Sequence, residues 1–131
     1  MTRTERQMAG DAAEQLVAEV LVGRGWTVLG RNVHAGRSEL DIVATDPGPP
    51  PRLVIVEVRW RRSRDFGGGE ESFDYRKRAR LRRGLARLLE SGRLSDGTRL
   101  PVLPVAVDLA VVEPHSPGRH SVRLYRDALG E

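Results

Sequence analysis

Apolar side chains recur with helical spacing in two parts of this chain and with strand spacing between them. Residues 4–23 alternate apolar and charged side chains in a way that predicts an amphipathic helix. After a glycine break, residues 26–29 are β-prone and residues 32–37 are typical of a turn. A second helix is predicted from the N-cap Asp74 to about Glu90, with an apolar stripe made by Leu81, Leu85, Leu88 and Leu89.

Two predicted strands carry acidic residues at otherwise apolar positions. Residues 38–44 alternate with period two, which predicts that Asp41 faces away from Leu40 and Ile42. Residues 53–60 are nearly all apolar, as in a strand covered on both faces, yet they include Glu57. The short proline-rich connection between the two strands favours antiparallel neighbours.

The later elements complete a single α/β domain. Residues 102–112 predict a strand interrupted near its start by Pro104, and residues 121–125 predict a short last strand. The order is α-β-β-β-α-β-β, which we interpret as a mixed sheet flanked by helices. The length of 131 residues fits one domain covering residues 1–131.

Composition excludes several classes of protein. Cysteine is absent, so neither a disulfide framework nor a thiolate zinc site can form. The polar N-terminus and the lack of a long apolar run predict a cytoplasmic protein without a membrane partner. His34, His115 and His120 lie in predicted turns without metal-ligand spacing, and we interpret them as surface residues.

Positive charge is concentrated in the middle of the chain. The net charge is +4, but residues 59–93 alone contain twelve basic and five acidic residues. Such clustering favours a polyanionic partner, although a solvated helix face gives the same pattern. The candidate nucleic-acid-binding residues are Arg61, Arg62, Arg76, Arg80, Arg83 and Arg87.

Asp41 and Glu57 are the candidate metal ligands. A buried carboxylate without a partner is costly, so two on adjacent strands require a common explanation. Mg²⁺ or Mn²⁺ supplies one, because hard divalent ions bind carboxylates and keep water positions open for phosphate. Arg59 is expected on the same face as Glu57. The alternative is a cross-strand ion-pair cluster of these three residues without metal.

The acidic strands belong to a longer series of motifs. Gly10-x-x-x-Glu14 and Arg31-Asn32 precede Ser38-Glu39-Leu40-Asp41-Ile42-Val43-Ala44, and Val56-Glu57-Val58-Arg59-x-Arg61-Arg62 follows. Phe66-Gly67, the Lys77 helix and residues 105–111 continue the series. In this order the motifs resemble the YraN family of endonuclease-like proteins. The resemblance spans nearly the whole chain.

The resemblance implies a restriction-endonuclease-like fold with a PD-(D/E)xK type site, similar to that of archaeal Holliday-junction resolvases. It implies that Asp41 and Glu57 bind the metal, that Val58 contributes its backbone, and that Glu14 adds a carboxylate. Arg59 occupies the position of the family's lysine. Arginine remains protonated, so it can stabilise phosphate charge but cannot act as a base. Lys77 matches the lysine of the family's second helix and is a further candidate catalytic residue.

The expected function is that of a Mg²⁺- or Mn²⁺-dependent nuclease acting on phosphodiesters of structured or branched DNA. A homodimer is attractive, because paired cuts in a junction need two sites. The first alternative is a catalytically impaired nucleic-acid-binding module, with Arg59 as the sign of that loss. The second is an interaction protein whose basic helix meets an acidic protein.

Overall fold

The computed structural model describes residues 2–61 and 74–129, which form two helices and five strands. The elements follow one another in the predicted order: α1 (Arg3–Gly23), β1 (Thr27–Ala35), β2 (Ser38–Asp46), β3 (Arg52–Trp60), α2 (Tyr75–Ser91), β4 (Val105–Ser116) and β5 (Arg119–Tyr125). The predicted α/β class and element order are therefore confirmed. Among these residues, no helix has both the length and the apolar character needed to cross a bilayer.

The five strands form one mixed sheet in the order β1-β2-β3-β4-β5. Strands β1, β2 and β3 are antiparallel neighbours, β3 and β4 are parallel, and β5 is antiparallel to β4. Parallel strands cannot be joined by a tight hairpin, and the chain between β3 and β4 contains helix α2. Strand β3 is therefore central, which explains why its sequence is almost continuously apolar.

The helices cover opposite faces of the sheet. One apolar cluster combines α1 residues such as Val17 with Val54 and Val56 of β3. The other cluster combines Leu81 and Leu88 of α2 with the β3 residues that alternate with Val54 and Val56, such as Ile55. Consecutive β3 side chains thus alternate between the two helical layers, as the pleat requires.

Helix α2 begins and lies against the sheet for identifiable reasons. The carboxylate of Asp74 accepts a hydrogen bond from the backbone N–H of Lys77, so the predicted N-cap is confirmed. Gly84 is buried, and a Cβ built there would lie 2.9 Å from the Cβ of Ser38, so its hydrogen lets the helix approach β2 closely. Leu89 is 44% exposed, and its predicted place in the apolar stripe was wrong because it lies outside the packed face.

The turn predicted for residues 32–37 was also wrong, since β1 continues to Ala35 and only Gly36 and Arg37 form the turn. Val33 and Ala35 are buried and pair with Leu40 and Ser38 of β2. Asn32 and His34, which alternate with them, are exposed, and these polar residues gave the segment the composition of a loop. Tertiary pairing therefore overrode local composition.

The predicted faces of β2 were wrong at one point. Leu40 packs with the α2 cluster, whereas Ile42 and Ala44 pack with the α1 cluster. The alternation breaks at Asp41, immediately beyond the last β2–β3 pair, Ile42 with Val56. The two strands therefore part at the acidic residue.

Candidate metal and nucleic-acid site

The candidate site forms where β2 and β3 separate. Beyond the Ile42–Val56 pair, Oδ2 of Asp41 accepts a hydrogen bond of 2.8 Å from the backbone N–H of Val58. The Asp41 side chain thus accepts a hydrogen bond from the β3 backbone at the point where backbone pairing between β2 and β3 ends. This hydrogen bond fixes the Asp41 carboxylate beside the last residues of β3.

Asp41 and Glu57 come together at this point, close enough for each carboxyl group to shift the pKa of the other. Burial, and then the nearby Asp41, raises the pKa of Glu57 to about 8. Burial also raises the pKa of Asp41, although the hydrogen bond from Val58 opposes the shift. Two carboxylates this close and this buried resist full ionisation unless a cation joins them.

Arg59 provides only part of the missing positive charge. Its Nη1 lies 3.2 Å from Oε1 of Glu57, which confirms that the two side chains share a face. The other oxygen of Glu57, Oε2, is buried without a hydrogen-bond partner among the described residues. Arg59 lowers the pKa of Glu57, but burial and Asp41 raise it more, so one arginine does not balance the charge of the two carboxyls.

Glu14 of α1 lies next to this pair. Burial raises its pKa to about 7, and Asp41 contributes to the shift. Arg31 of β1 lies 3.8 Å from Oε1 of Glu14 and also donates to the Gln15 side chain. Within residues 2–61 and 74–129, no three histidine or acidic side chains converge closely enough to hold a metal ion. The structure thus brings Asp41 and Glu57 together and leaves Glu14 beside them, paired with Arg31.

The donor set fits a hard divalent cation. Carboxylate oxygens are the ligands that Mg²⁺ and Mn²⁺ prefer, and Oε2 of Glu57 is a buried acceptor without a partner in the described part of the chain. A bound dication would favour the ionised form of both carboxyls, which burial disfavours, and would offset the repulsion by which Asp41 raises the pKa of Glu57 further. Asp41 and Glu57 would hold it, and the backbone contribution predicted for Val58 stays a prediction.

The first turns of α2 approach the same site. Burial and the neighbouring Arg59 lower the pKa of Lys77, and Glu57 acts on it in the opposite direction. Arg80, one turn later, is within electrostatic range of Glu57 as well. The fold thus brings Lys77, from a distant part of the sequence, towards the residues of β3.

The predicted nucleic-acid-binding arginines fall into two groups. Arg76, Arg80, Arg83 and Arg87 are exposed on α2, and none is paired with an acidic side chain that the structure describes. Arg61, in contrast, lies 3.0 Å from Oε2 of the buried Glu113. Arg62 lies outside the described residues.

Known proteins are similar to this chain over most of its length. The sequence model of the uncharacterised protein family UPF0102 matches residues 13–112. The chain belongs to family UPF0102. A UPF0102 protein of Symbiobacterium thermophilum is 40% identical over 119 residues, which cover 91% of this chain and 93% of that relative. A UPF0102 protein of Moorella thermoacetica is 40% identical over 109 residues, covering 82% and 86% of the two chains.

More distant UPF0102 members match the same region. A UPF0102 protein of Neisseria meningitidis is 30% identical over 108 residues, which cover 82% of this chain and 86% of that relative. The predicted membership of the YraN family is confirmed, because YraN proteins form family UPF0102. The matched residues include Asp41, Glu57 and Lys77.

Other charged residues of this UPF0102 protein have structural partners. Asp108 is fully buried, lies 2.6 Å from Nε of Arg126 and accepts a hydrogen bond from the backbone N–H of Asp127. Sequence reasoning missed Glu113, whose two oxygens lie 3.0 and 3.1 Å from Arg61 and Arg123. An acidic residue at the end of an apolar strand was the available signal.

The three histidines of this UPF0102 chain lie in strands, so the prediction that they lie in turns was wrong. His34 is exposed in β1, and His115 and His120 are exposed in the β4–β5 hairpin. Exposed polar side chains at the ends of strands and beside a hairpin give these segments a composition like that of turns. Trp60 is 37% exposed, and its ring lies 4.8 Å from that of His120.

Proposed function

We propose that this UPF0102 protein is a metal-dependent nuclease that hydrolyses phosphodiesters in branched or otherwise structured DNA. The observation that carries the proposal is the pair of half-buried Asp41 and buried Glu57, both of which have raised pKa values although Arg59 contacts Glu57. Such a pair favours a divalent cation over self-contained ion pairing. Its position beside the exposed arginines of α2 supports a phosphate substrate.

Each residue then has a distinct task. Asp41 and Glu57 would hold Mg²⁺ or Mn²⁺, which would supply activation of water at neutral pH and neutralisation of phosphate charge. The carboxyl of Glu14 adds negative charge on the α1 side. Arg59 and Lys77 present positive charge to the phosphate oxygens, while the arginines of α2 bind the flanking backbone.

Water activation in this scheme needs no side-chain base. Arg59 stays protonated at working pH, so it cannot accept a proton as a lysine of lowered pKa can. The pKa of Lys77 is lowered by burial and by Arg59, which makes it the basic side chain near the site that is most easily deprotonated. We therefore assign Arg59 to charge stabilisation and Lys77 to positioning of phosphate or water.

The direct test incubates the pure protein with a labelled four-way junction, a matched linear duplex and Mn²⁺ or Mg²⁺ at pH 8. We expect cleavage of the junction and its loss, by more than about 100-fold, in Asp41→Asn and Glu57→Gln. Glu19→Gln is the matched control, because Glu19 is an exposed carboxylate on α1. Junction cleavage that survives Asp41→Asn would remove the assigned site.

A second candidate function is a nucleic-acid-binding module that has lost catalysis. The observation that favours it is the contact between Arg59 and Glu57, which uses one carboxylate oxygen that a cation would otherwise receive. This function predicts salt-sensitive DNA binding without cleavage in any metal. Cleavage that appears only in Arg59→Lys would establish the second candidate and reject the first for the natural chain.

Paired cutting of a junction would require two copies of the chain. We therefore expect a homodimer on the junction, with one Asp41–Glu57 pair for each cut strand. Sedimentation of the protein with and without the junction measures the stoichiometry. Two copies per junction agree with paired cutting, and one copy contradicts it.

A further inference from the structure

Two adjoining clefts lie at the far end of α2 from the Asp41–Glu57 pair. The larger, of about 600 Å³, lies between the β1–β2 hairpin and the end of α2, and its lining includes His34, Arg87 and Arg93. The smaller, of about 310 Å³, is lined by the hairpin together with Arg37, Arg83 and Arg87. Arg87 and Gly36 line both clefts.

The position of Arg87 is set by the hairpin turn. Gly36 adopts a φ of +63°, and a Cβ built there would lie 3.4 Å from Cδ and Nε of Arg87. The bare turn therefore lets the arginine stem lie across it.

Positive charge at the clefts is not neutralised within the described part of the chain. Arg37, Arg83, Arg87 and Arg93 have no ion pair with any acidic side chain described there. Glu90 lines the larger cleft, and no ion pair joins it to these arginines. Four arginine forks around one glutamate attract phosphate groups.

We propose that these clefts, which we call the hairpin clefts, bind backbone phosphates of the DNA at a distance from the cleaved bond. The inference rests on the proposed function and extends it. Helix α2 rises about 15 Å between Lys77 and Arg87. For a duplex that lies along α2 with the cleaved bond beside Lys77, a rise of about 3.4 Å per nucleotide would place the contacted phosphates about four base pairs from that bond.

Binding without catalysis tests the proposal. Fluorescence anisotropy with a labelled four-way junction in EDTA, over a series of NaCl concentrations, measures affinity and its salt slope without cleavage. We expect the double variant Arg37→Gln/Arg87→Gln to weaken binding about tenfold and to reduce the slope by about 2, because two phosphate contacts are lost. Arg24→Gln, an exposed arginine at the end of α1, is the matched control and should behave as the wild type.

A gain of binding provides the second arm. Glu90→Gln removes the one acidic side chain among the described residues that line the clefts, so we expect about twofold tighter binding. Thermal unfolding monitored by circular dichroism confirms that each variant is folded. An affinity and a salt slope that do not change in the double variant would overturn the proposal. The proposal would also be overturned if polyglutamate displaced the labelled junction as effectively as unlabelled DNA does.

The outcome separates this proposal from the proposed nuclease activity. If the double variant loses binding and the wild type does not cleave, the proposal of phosphate binding at the hairpin clefts stands and the nuclease proposal is rejected. Cleavage that depends on Asp41, with binding indifferent to Arg37 and Arg87, keeps the nuclease and rejects the clefts.

Discussion

Glu57 and Glu113 are both buried glutamates on strands of one sheet, but their surroundings differ. Their exposed fractions are 6% and 2%, and both lie at positions that alternate towards the α2 face. Both oxygens of Glu113 lie close to arginines, Arg61 on one side and Arg123 on the other. Glu57 has one arginine, one neighbouring carboxyl and an oxygen without a partner in the described chain.

The difference indicates which buried acid supports the fold and which one is available for chemistry. A carboxylate saturated by arginine forks has no acceptor left for a ligand. A carboxylate beside another one retains a demand for positive charge, which a dication can meet. Burial alone therefore does not show whether an acidic residue stabilises the fold or binds a ligand. The balance of charge around the residue distinguishes the two roles.

The largest expected effect comes from neutralising each glutamate in turn. Glu113→Gln should lower the free energy of unfolding by about 3 kcal/mol, because it removes a buried carboxylate charge that pairs with both Arg61 and Arg123. Glu57→Gln should leave stability unchanged or raise it, since it removes repulsion with Asp41. Urea unfolding at pH 7.5 without metal measures both. Equal destabilisation by the two changes would contradict the comparison.

The second effect concerns pH in metal-free buffer. The pKa values of Glu57 and Glu14 are raised to about 8 and about 7, so protonation favours the folded state. Their stabilisation is complete below the ordinary value of about 4.5 and is lost as pH rises through 7 and 8. We expect the free energy of unfolding to fall on the order of 2 kcal/mol from pH 5.5 to 8.5.

Added Mn²⁺ and the substitution Glu57→Gln provide two further tests of this pH dependence. Added Mn²⁺ should raise Tm at pH 8 and have little effect at pH 5.5, where protons occupy the carboxyls. Glu57→Gln should flatten the pH profile and reduce the metal response. Differential scanning calorimetry at several pH values, with and without Mn²⁺, provides the measurement. A wild-type profile that rises towards pH 8.5 without metal would reverse the assigned sign.

A smaller effect tests how α2 is seated above the site. Gly84→Ala places a Cβ 2.9 Å from the Cβ of Ser38 and 3.2 Å from Cδ2 of Leu40, so the helix must shift outward. Better helix propensity offsets part of the strain, and we expect a net loss of about 1–2 kcal/mol. Chemical denaturation measures the change. Ala86→Gly, an exposed helical control, should cost about 1 kcal/mol through propensity alone.

Much of the fold was predictable because its strongest signals are local. The amphipathic helices, the apolar β3 and the cap at Asp74 follow from residue type and spacing. The continuation of β1 through residues 32–35 and the break at Asp41 were not predictable, because they depend on pairing with β2. In the sequence Leu40 fits the same alternation as Ile42 and Ala44. Only the separation of β2 from β3 explains why Leu40 packs on the α2 side of the sheet.

The candidate site was predictable in its central pair but not in its surroundings. Asp41 and Glu57 were identifiable because each interrupts an apolar strand, and neighbouring strands bring them together. The pairing of Arg61 with Glu113 depends on the parallel register of β3 and β4, which joins residues far apart in the chain. Charge clustering alone could not separate Arg61 from Arg76, Arg80, Arg83 and Arg87 of α2, which form no ion pair with a described acidic side chain.

A crystal of the wild-type protein soaked in Mn²⁺ at pH 8 tests the central claim most directly. We expect one anomalous peak about 2.1 Å from a carboxylate oxygen of each of Asp41 and Glu57, with Arg59 withdrawn from Glu57. A map with no peak between these carboxylates, and with Arg59 still in contact with Glu57, would contradict the account.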